Sequence, residues 1–159
     1  MNKLSSVQSS YIAGFLDADG SIYVKLTKNT TYKYRYQVSP YIVFYQSQSS
    51  KKSLEELQRI IGIGYLRLRN DGIEEYIIGD IQSIRNFLQN IEKFLIFKKQ
   101  QAKLIIKILD LKEKISSPQE FLELCELIDQ FKELNYSKKR TILTEIVKQT
   151  LIDEGFMTP

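Results

Sequence analysis

Apolar and polar positions alternate with a period of two in four stretches between Gly20 and Gly79 of this 159-residue chain, and repeat at helical spacing along most of the rest. From Gly20 to Asn29, Ile22, Val24 and Leu26 fall on one face, with Tyr23, Lys25, Thr27 and Asn29 on the other, the pattern of a half-buried strand. A polar loop, Thr30 to Lys33, follows. The second run, Tyr34 to Gln46, puts Val38, Ile42 and Phe44 on the buried parity and Gln37, Ser39, Tyr41, Val43 and Tyr45 on the outer one. Pro40 interrupts it, which predicts an edge strand or a bulge. A third strand carries Tyr65, Arg67 and Arg69 opposite Leu66 and Leu68. Asn70-Asp71-Gly72 then turns the chain, since glycine tolerates positive φ. The fourth strand, 73–79, sets Glu75 and Ile77 against Tyr76 and Ile78.

The helical segments have their own punctuation. The first is expected over 6–18, capped by Ser5 or Ser6; the next, over 50–61, is stopped by Gly62-Ile63-Gly64. Ile81, Ile84, Phe87, Leu88, Ile91, Phe94 and Leu95 form an apolar stripe that breaks near 94–97 and resumes from Lys98 to Leu111. Ser117, Pro118 and Glu120 predict a capped start with a capping box. Phe121, Leu124, Cys125, Ile128 and Phe131 face inward; Asn135 to Lys139 is a polar turn before a last helix over 140–152. Residues 1–5 and 153–159 are expected to fray. The sum is an α+β domain, 1–159, with a core over 6–112 and added C-terminal helices over 117–152.

Composition narrows the chemistry. There is no histidine, so a histidine base, a His/Cys zinc site and a Ser-His-Asp triad are excluded. One cysteine precludes a disulfide framework within the chain. No apolar stretch suits a membrane helix and no secretory signal is present, so a soluble, intracellular protein without a membrane partner is expected. The net charge of +4 suits a nucleic-acid partner if concentrated on one face, and equally an ordinary soluble basic protein. Lysine exceeds arginine and isoleucine is abundant, which fits an AT-rich organelle genome, chloroplast or mitochondrial.

The chemistry concentrates at Ile12-Ala13-Gly14-Phe15-Leu16-Asp17-Ala18-Asp19-Gly20. A helix ends here and a strand begins, with two carboxylates at the joint. Carboxylates at a helix C-terminus oppose its dipole by about 0.3–1 kcal/mol each, which calls for a cation there. Gly14 and Ala18 lie one turn apart beside Ala13, and small residues so spaced let a second helix approach closely. An ordinary amphipathic helix with an Asp-Gly turn is the competing reading. The nine residues resemble the signature of the LAGLIDADG homing endonucleases: Ala13, Gly14, Asp17, Ala18, Asp19 and Gly20 are identical to it, and Ile12, Phe15 and Leu16 are apolar where it is apolar.

The resemblance implies an αββαββα fold whose four-stranded saddle sheet sits in the DNA major groove, with helices on the opposite face. With one motif, the chain is expected to work as a homodimer on a pseudo-palindromic duplex. Tyr11, Ala13, Gly14 and Asp17 are then expected at the interface, Asp17 capping the partner helix. The implied activity is hydrolysis of both strands across the minor groove, dependent on Mg²⁺, with Mn²⁺ substituting and Ca²⁺ binding without cleavage. Asp19 and the carbonyl of Ala18 are the implied metal ligands. Alignment through Phe44 and Gly62-Ile63-Gly64-Tyr65 places a catalytic glutamine at Gln46; alignment through Phe94-Leu95 and Gln101-Ala102 places a catalytic lysine at Lys98. The basic residue expected four after the glutamine is missing, since Ser50 stands there, and Lys51 is its nearest substitute, with Lys52 beside it. Lys98, Lys99 and Lys103 also fit a solvated or phosphate-contacting helix face.

For DNA contact the resemblance selects the outer strand positions Lys25, Thr27, Asn29, Gln37, Ser39, Arg67, Arg69, Glu75 and Ile77, with Tyr32 in the loop. Their polar members are of the types that read base edges, though any solvent-facing antiparallel sheet has a polar side. Ser137, Lys138 and Lys139 are expected on phosphates, because lysines at a helix N-terminus favour an outside anion. The rivals are an intron-RNA maturase that binds without cutting and a purely structural dimer module.

Overall fold

The computed structural model describes residues 1–47, 54–135 and 141–158. Helix α1 (Ser6–Asp19) leads into β1 (Gly20–Lys28) and β2 (Tyr36–Ser47). Then come α2 (Glu55–Ile61), β3 (Tyr65–Leu68), β4 (Ile73–Ile78) and α3 (Ile81–Ile91), completing the expected αββαββα order. A 3₁₀ turn (Glu92–Phe94) precedes α4 (Lys99–Lys112), α5 (Pro118–Asp129), α6 (Phe131–Leu134) and α7 (Thr144–Asp153). The strands form one sheet in the order β1-β2-β4-β3. No helix among the described residues is long and apolar enough to cross a membrane.

The expected Pro40 break does not occur. β2 runs unbroken through Pro40 and is a central strand. It outlasts its partner: the β2–β4 pairs extend only from Ser47↔Ile73 to Ile42↔Ile78, so Pro40 lies past the end of β4. There the missing N–H costs no bond to that strand.

Two compact units divide the chain. One comprises residues 1–23 and 40–102. Its core is Ile12, Leu16, Ile42, Phe44, Ile61, Tyr76, Ile78, Ile84 and Phe87, all fully buried. Phe44 sits at its centre, stacked on Tyr76 (5.7 Å), edge-on to Phe87 (6.1 Å) and tilted against Phe15 (5.5 Å). Of the two expected caps of α1, Ser5 is the one used, within a capping box: Gln8 N donates to Ser5 Oγ (3.2 Å) and Ser5 N donates to Gln8 Oε1 (2.9 Å). The first residues do not fray. Asn2 Nδ2 donates to the carbonyls of Arg59 (2.9 Å) and Ile60 (3.1 Å), satisfying orphan acceptors at the end of α2.

The second unit comprises residues 24–39 and 103–159. Val24, Leu26, Tyr34, Tyr36 and Val38 are buried there, as are Ile105, Ile108, Phe121, Leu124, Cys125, Ile128, Val147 and Leu151. Asp129 of α5 accepts from Thr144 N (2.9 Å) and Oγ1 (2.7 Å), so a side chain from another helix caps α7. Pro118 opens α5, and the Ser117–Glu120 capping box is present. Removing this cap by Ser117→Ala should cost about 1 kcal/mol, lowering the melting temperature by about 2–4 °C for a chain of this size. Thermal unfolding followed by circular dichroism checks it, and an unchanged midpoint would show that the cap adds nothing.

Candidate functional site

The joint between α1 and β1 is built tightly. Gly20 N–H donates to Leu16 O as the helix closes. A Cβ at Gly20 would stand 2.7 Å from Leu16 O and 2.9 Å from Leu16 Cα, so only glycine lets the strand leave the helix here. Asp19, one residue earlier, is exposed at the negative end of the α1 dipole. It lines a shallow cavity of about 430 Å³ with Ala18, Gly20, Tyr45, Gln46, Ser47 and Ile73. Two expected catalytic positions, Asp19 and Gln46, thus meet in one cavity with the expected carbonyl ligand, Ala18.

Lys98 reaches the same helix end. It is only 9% exposed, and its Nζ donates to the Asp17 carbonyl at 2.6 Å. Burial lowers the Lys98 pKa, while the carboxylates of Asp17 and Asp19 act to hold it up. The Asp17 side chain fixes the segment that carries this lysine. Its Oδ2 accepts from Ile96 N (2.7 Å) and Phe97 N (3.2 Å), and its Oδ1 from Lys98 N (2.9 Å). This corrects the expectation that Asp17 caps a partner helix: it caps the approach to α4 in its own chain.

The other interface expectations divide. Tyr11 is 67% exposed and Gly14 is exposed, with nothing within 4 Å of a Cβ built on it. Ala13 is fully buried in its own unit, so it is not on the free face. Val7, 80% exposed and one turn before Tyr11, belongs to that face and was missed. So were Ile96 and Phe97, exposed by 77% and 78%. The sequence pattern hid them because Phe97 continues an apolar run that otherwise enters the core.

On the sheet, Arg67 and Arg69 are exposed. Glu75 is 4% exposed and accepts from Arg67 Nε (2.7 Å), with Arg69 Nη1 at 3.6 Å from its other oxygen. The carboxylate raises the Arg67 pKa. Glu75 was expected as an acceptor for a base; it is occupied as an anchor for two guanidinium groups. Ile77 departs further. It is 3% exposed, in the cross-strand row Val43–Ile77–Tyr65. Val43 is 1% exposed although both have the outer parity. Parity gives the face, but Tyr41, Tyr45 and Tyr65 stand around these two smaller side chains and take the exposure. Tyr23, also outer, lies 5.3 Å from Tyr41 ring to ring, and burial pushes its hydroxyl pKa up.

In the second unit, Lys25 and Thr27 are exposed, Asn29, Gln37 and Ser39 half-buried, and Tyr32 is exposed in the loop. Lys51, Lys52, Ser137, Lys138 and Lys139 lie outside the described residues.

Known proteins resemble this chain in sequence and in fold. The sequence model of the LAGLIDADG endonuclease family matches residues 12–109. The chain is 38% identical over 142 residues to DNA endonuclease I-CreI of Chlamydomonas reinhardtii, covering 89% of this chain and 86% of the relative. It is 34% identical over 142 residues to DNA endonuclease I-CvuI of Chlorella vulgaris, covering 89% and 88%. The crystal structure of I-CvuI in complex with its target in the presence of Ca superposes with a TM-score of 0.89 at 32% identity, over 96% of this chain and 98% of that one. Motif and element order converge with these likenesses: the chain belongs to the LAGLIDADG endonuclease family, among its single-motif homing endonucleases.

Proposed function

We propose that this chain is a site-specific double-strand DNA endonuclease that works as a homodimer on a long pseudo-palindromic target. The observation that carries this reading is the meeting of Asp19 and Gln46 in one cavity at the end of α1, where Lys98 docks on the Asp17 carbonyl.

The donor set suits Mg²⁺. Among the described residues no cluster of three or more Asp, Glu, His or Cys side chains is placed to enclose a metal. One exposed carboxylate, a neighbouring carbonyl and an amide in an open cavity offer hard oxygen donors only. Mg²⁺ is typically held in this way, by one or two carboxylates with substrate phosphates and water completing its shell. Asp19 and the Ala18 carbonyl would hold it, and Gln46 would orient water in the cavity. When bound, the ion supplies positive charge against the scissile phosphate and acidifies water for attack. Lys98 brings a cation on a buried stem, fit to offset charge at the phosphate or to donate a proton to the leaving oxygen. Lys51 remains the candidate for the missing basic residue. Lys25, Thr27, Asn29, Tyr32, Gln37, Ser39, Arg67 and Arg69 are the proposed DNA contacts, with Glu75 holding the two arginines. Ser137, Lys138 and Lys139 are proposed for phosphates.

The second copy is proposed to lie on α1. Val7, Tyr11, Gly14 and Ala18 recur at i, i+4, i+7 and i+11, all exposed, beside exposed Ile96 and Phe97. Glycine within a helix costs about 1 kcal/mol relative to alanine, and nothing inside the chain repays it at Gly14. Gly14→Leu separates the two roles: the monomer should keep or slightly gain thermal stability while the dimer is lost, as read by sedimentation equilibrium. A dimer of unchanged strength would overturn this placement.

The activity is tested by incubating the protein with a randomised duplex library in Mg²⁺ and, in parallel, in Ca²⁺, then sequencing the ends. One enriched pseudo-palindromic site, cut in Mg²⁺ and bound uncut in Ca²⁺, is expected. Absence of cut ends in either ion, with RNA retained on the protein, would replace this reading with the maturase one. The lysine- and isoleucine-rich composition supports an organelle genome as the gene's setting.

A further inference from the structure

The loop joining β1 to β2, residues 29–35, is held in an unusual conformation from an unexpected direction. Among the described residues Arg35 is the only non-glycine with positive φ, at 65°. A side chain with a Cβ rarely adopts this conformation, and it persists only where the surroundings enforce it. Here they do. Asn29 N donates to Arg35 O (2.7 Å), Arg35 N to Tyr32 O (2.9 Å), and Tyr32 N to Asn29 O (3.2 Å). The Arg35 side chain closes the loop further, Nη1 donating to Thr30 O at 2.9 Å.

The same guanidinium is gripped from the far end of the sequence. Arg35 Nε donates to Glu154 Oε2 at 2.9 Å, and its Cζ lies 5.5 Å from the Phe156 ring. Phe156 is also edge-on to Tyr34 at 6.1 Å. The end of α7 is shaped for this contact. Gly155 (φ 74°) donates to Ile152 O at 2.9 Å, and Phe156 N donates to Leu151 O at 2.8 Å, the paired bonds of a Schellman cap. That cap folds Phe156 back instead of letting the chain fray, so the loose end expected over 153–159 is replaced by an ordered clamp as far as Phe156. Tyr34, independently stacked on Phe121 at 5.0 Å, gives it a fixed wall.

We propose that Glu154 and Phe156 are positioning residues for target recognition: through Arg35 they fix the exposed tip that presents Asn29 and Tyr32 to DNA. This rests on the nuclease reading above and adds a specificity element that contacts no base itself. Specificity read by the tip is then set partly from the end of α7, and a variant there should blur recognition without touching the chemistry.

The test compares target profiles from the randomised-library cleavage in Mg²⁺. Tyr32→Ala first defines which base positions the tip reads. At those positions Glu154→Ala and Phe156→Ala should reduce discrimination from about tenfold, a common size for one mismatched pair, to about twofold. All other positions and the rate on the preferred site should hold. Phe156→Tyr, which keeps the ring, should keep the profile. Arg35→Ala combined with Glu154→Ala should lose no more than Arg35→Ala alone, because Glu154 acts through the Arg35 guanidinium. Amide exchange at Thr31 and Arg35 in the free protein, several-fold faster in Phe156→Ala, reads the clamp without DNA. A Phe156→Ala profile identical to wild type, or discrimination lost evenly at every position, would overturn the proposal. A wild-type protein that enriches no cut sequence would instead overturn the nuclease reading.

Discussion

Asp19→Asn should abolish cleavage while leaving target binding within about threefold of wild type. The substitution keeps the side chain's shape and removes its charge. Asp19 is exposed at the end of α1 and has no packing role to lose. What it provides is a negative group where the helix dipole is already negative, a combination that favours a bound cation. Without that charge the protein would offer the ion only the Ala18 carbonyl beside substrate phosphate and water, a weak set for Mg²⁺. The loss should reach at least about a thousandfold in rate, the upper range for removing one preorganised electrostatic group. Binding draws instead on strand and loop side chains and on phosphate contacts, which the change does not touch. Single-turnover cleavage in Mg²⁺ beside a gel-shift titration separates the two. Cleavage at the wild-type rate would remove Asp19 from the metal site.

Asp17→Ala should be damaging in a different way, since it strikes both fold and rate. Three backbone N–H groups, those of Ile96, Phe97 and Lys98, lose their shared carboxylate. Water can reach this partly exposed site, so the loss is smaller than for a buried network: about 2 kcal/mol in total, at the upper end for a helix cap. A melting-temperature drop of about 4–8 °C follows for a chain of this length. The rate should fall by about a hundredfold, because a shift of about 1 Å in a catalytic group is enough for that. Lys98→Ala should slow cleavage comparably without altering the preferred sequence. The double variant should be no slower than the worse single one, since both act through the position of one ammonium. A slower Asp17→Ala combined with Lys98→Ala, multiplying the two losses, would mean that the carboxylate acts on catalysis by another route.

Much of this was legible from local rules. The alternation around Ile22, Val24 and Leu26 gave the buried face of β1, and Ser117-Pro118-x-Glu120 gave the start of α5, because both signals lie within a few residues of what they specify. At the joint of α1 and β1 the local rule went only as far as a cation, since carboxylates at a helix end are locally unfavourable; Asp19 itself was singled out by the resemblance of the nine residues to the family signature. What escaped depends on distant partners. Asp17 caps a segment about eighty residues away, and no spacing rule links it to Ile96. Asn2 ends α2 across a separation of 57 residues. Val43 and Ile77 have the outer parity yet are buried, since exposure depends on the size of the neighbours on the same face of the sheet, not on parity alone. Pro40 is tolerated in a central strand because of where β4 stops, a property of another segment. The last helix was expected to end near 152 with a frayed tail, and nothing local showed that Phe156 would fold onto Tyr34 and Arg35.

The exposed stripe of Val7, Tyr11, Gly14, Ala18, Ile96 and Phe97 contains no charged residue. A surface that associates through shape and apolar area alone has no means of telling one copy from another, because discrimination between similar partners needs a repulsive element against the wrong one. Two variants of this chain made in the same cell, differing only in their DNA-facing strands, would exchange subunits freely. The mixed species would address hybrid sequences that neither parent recognises.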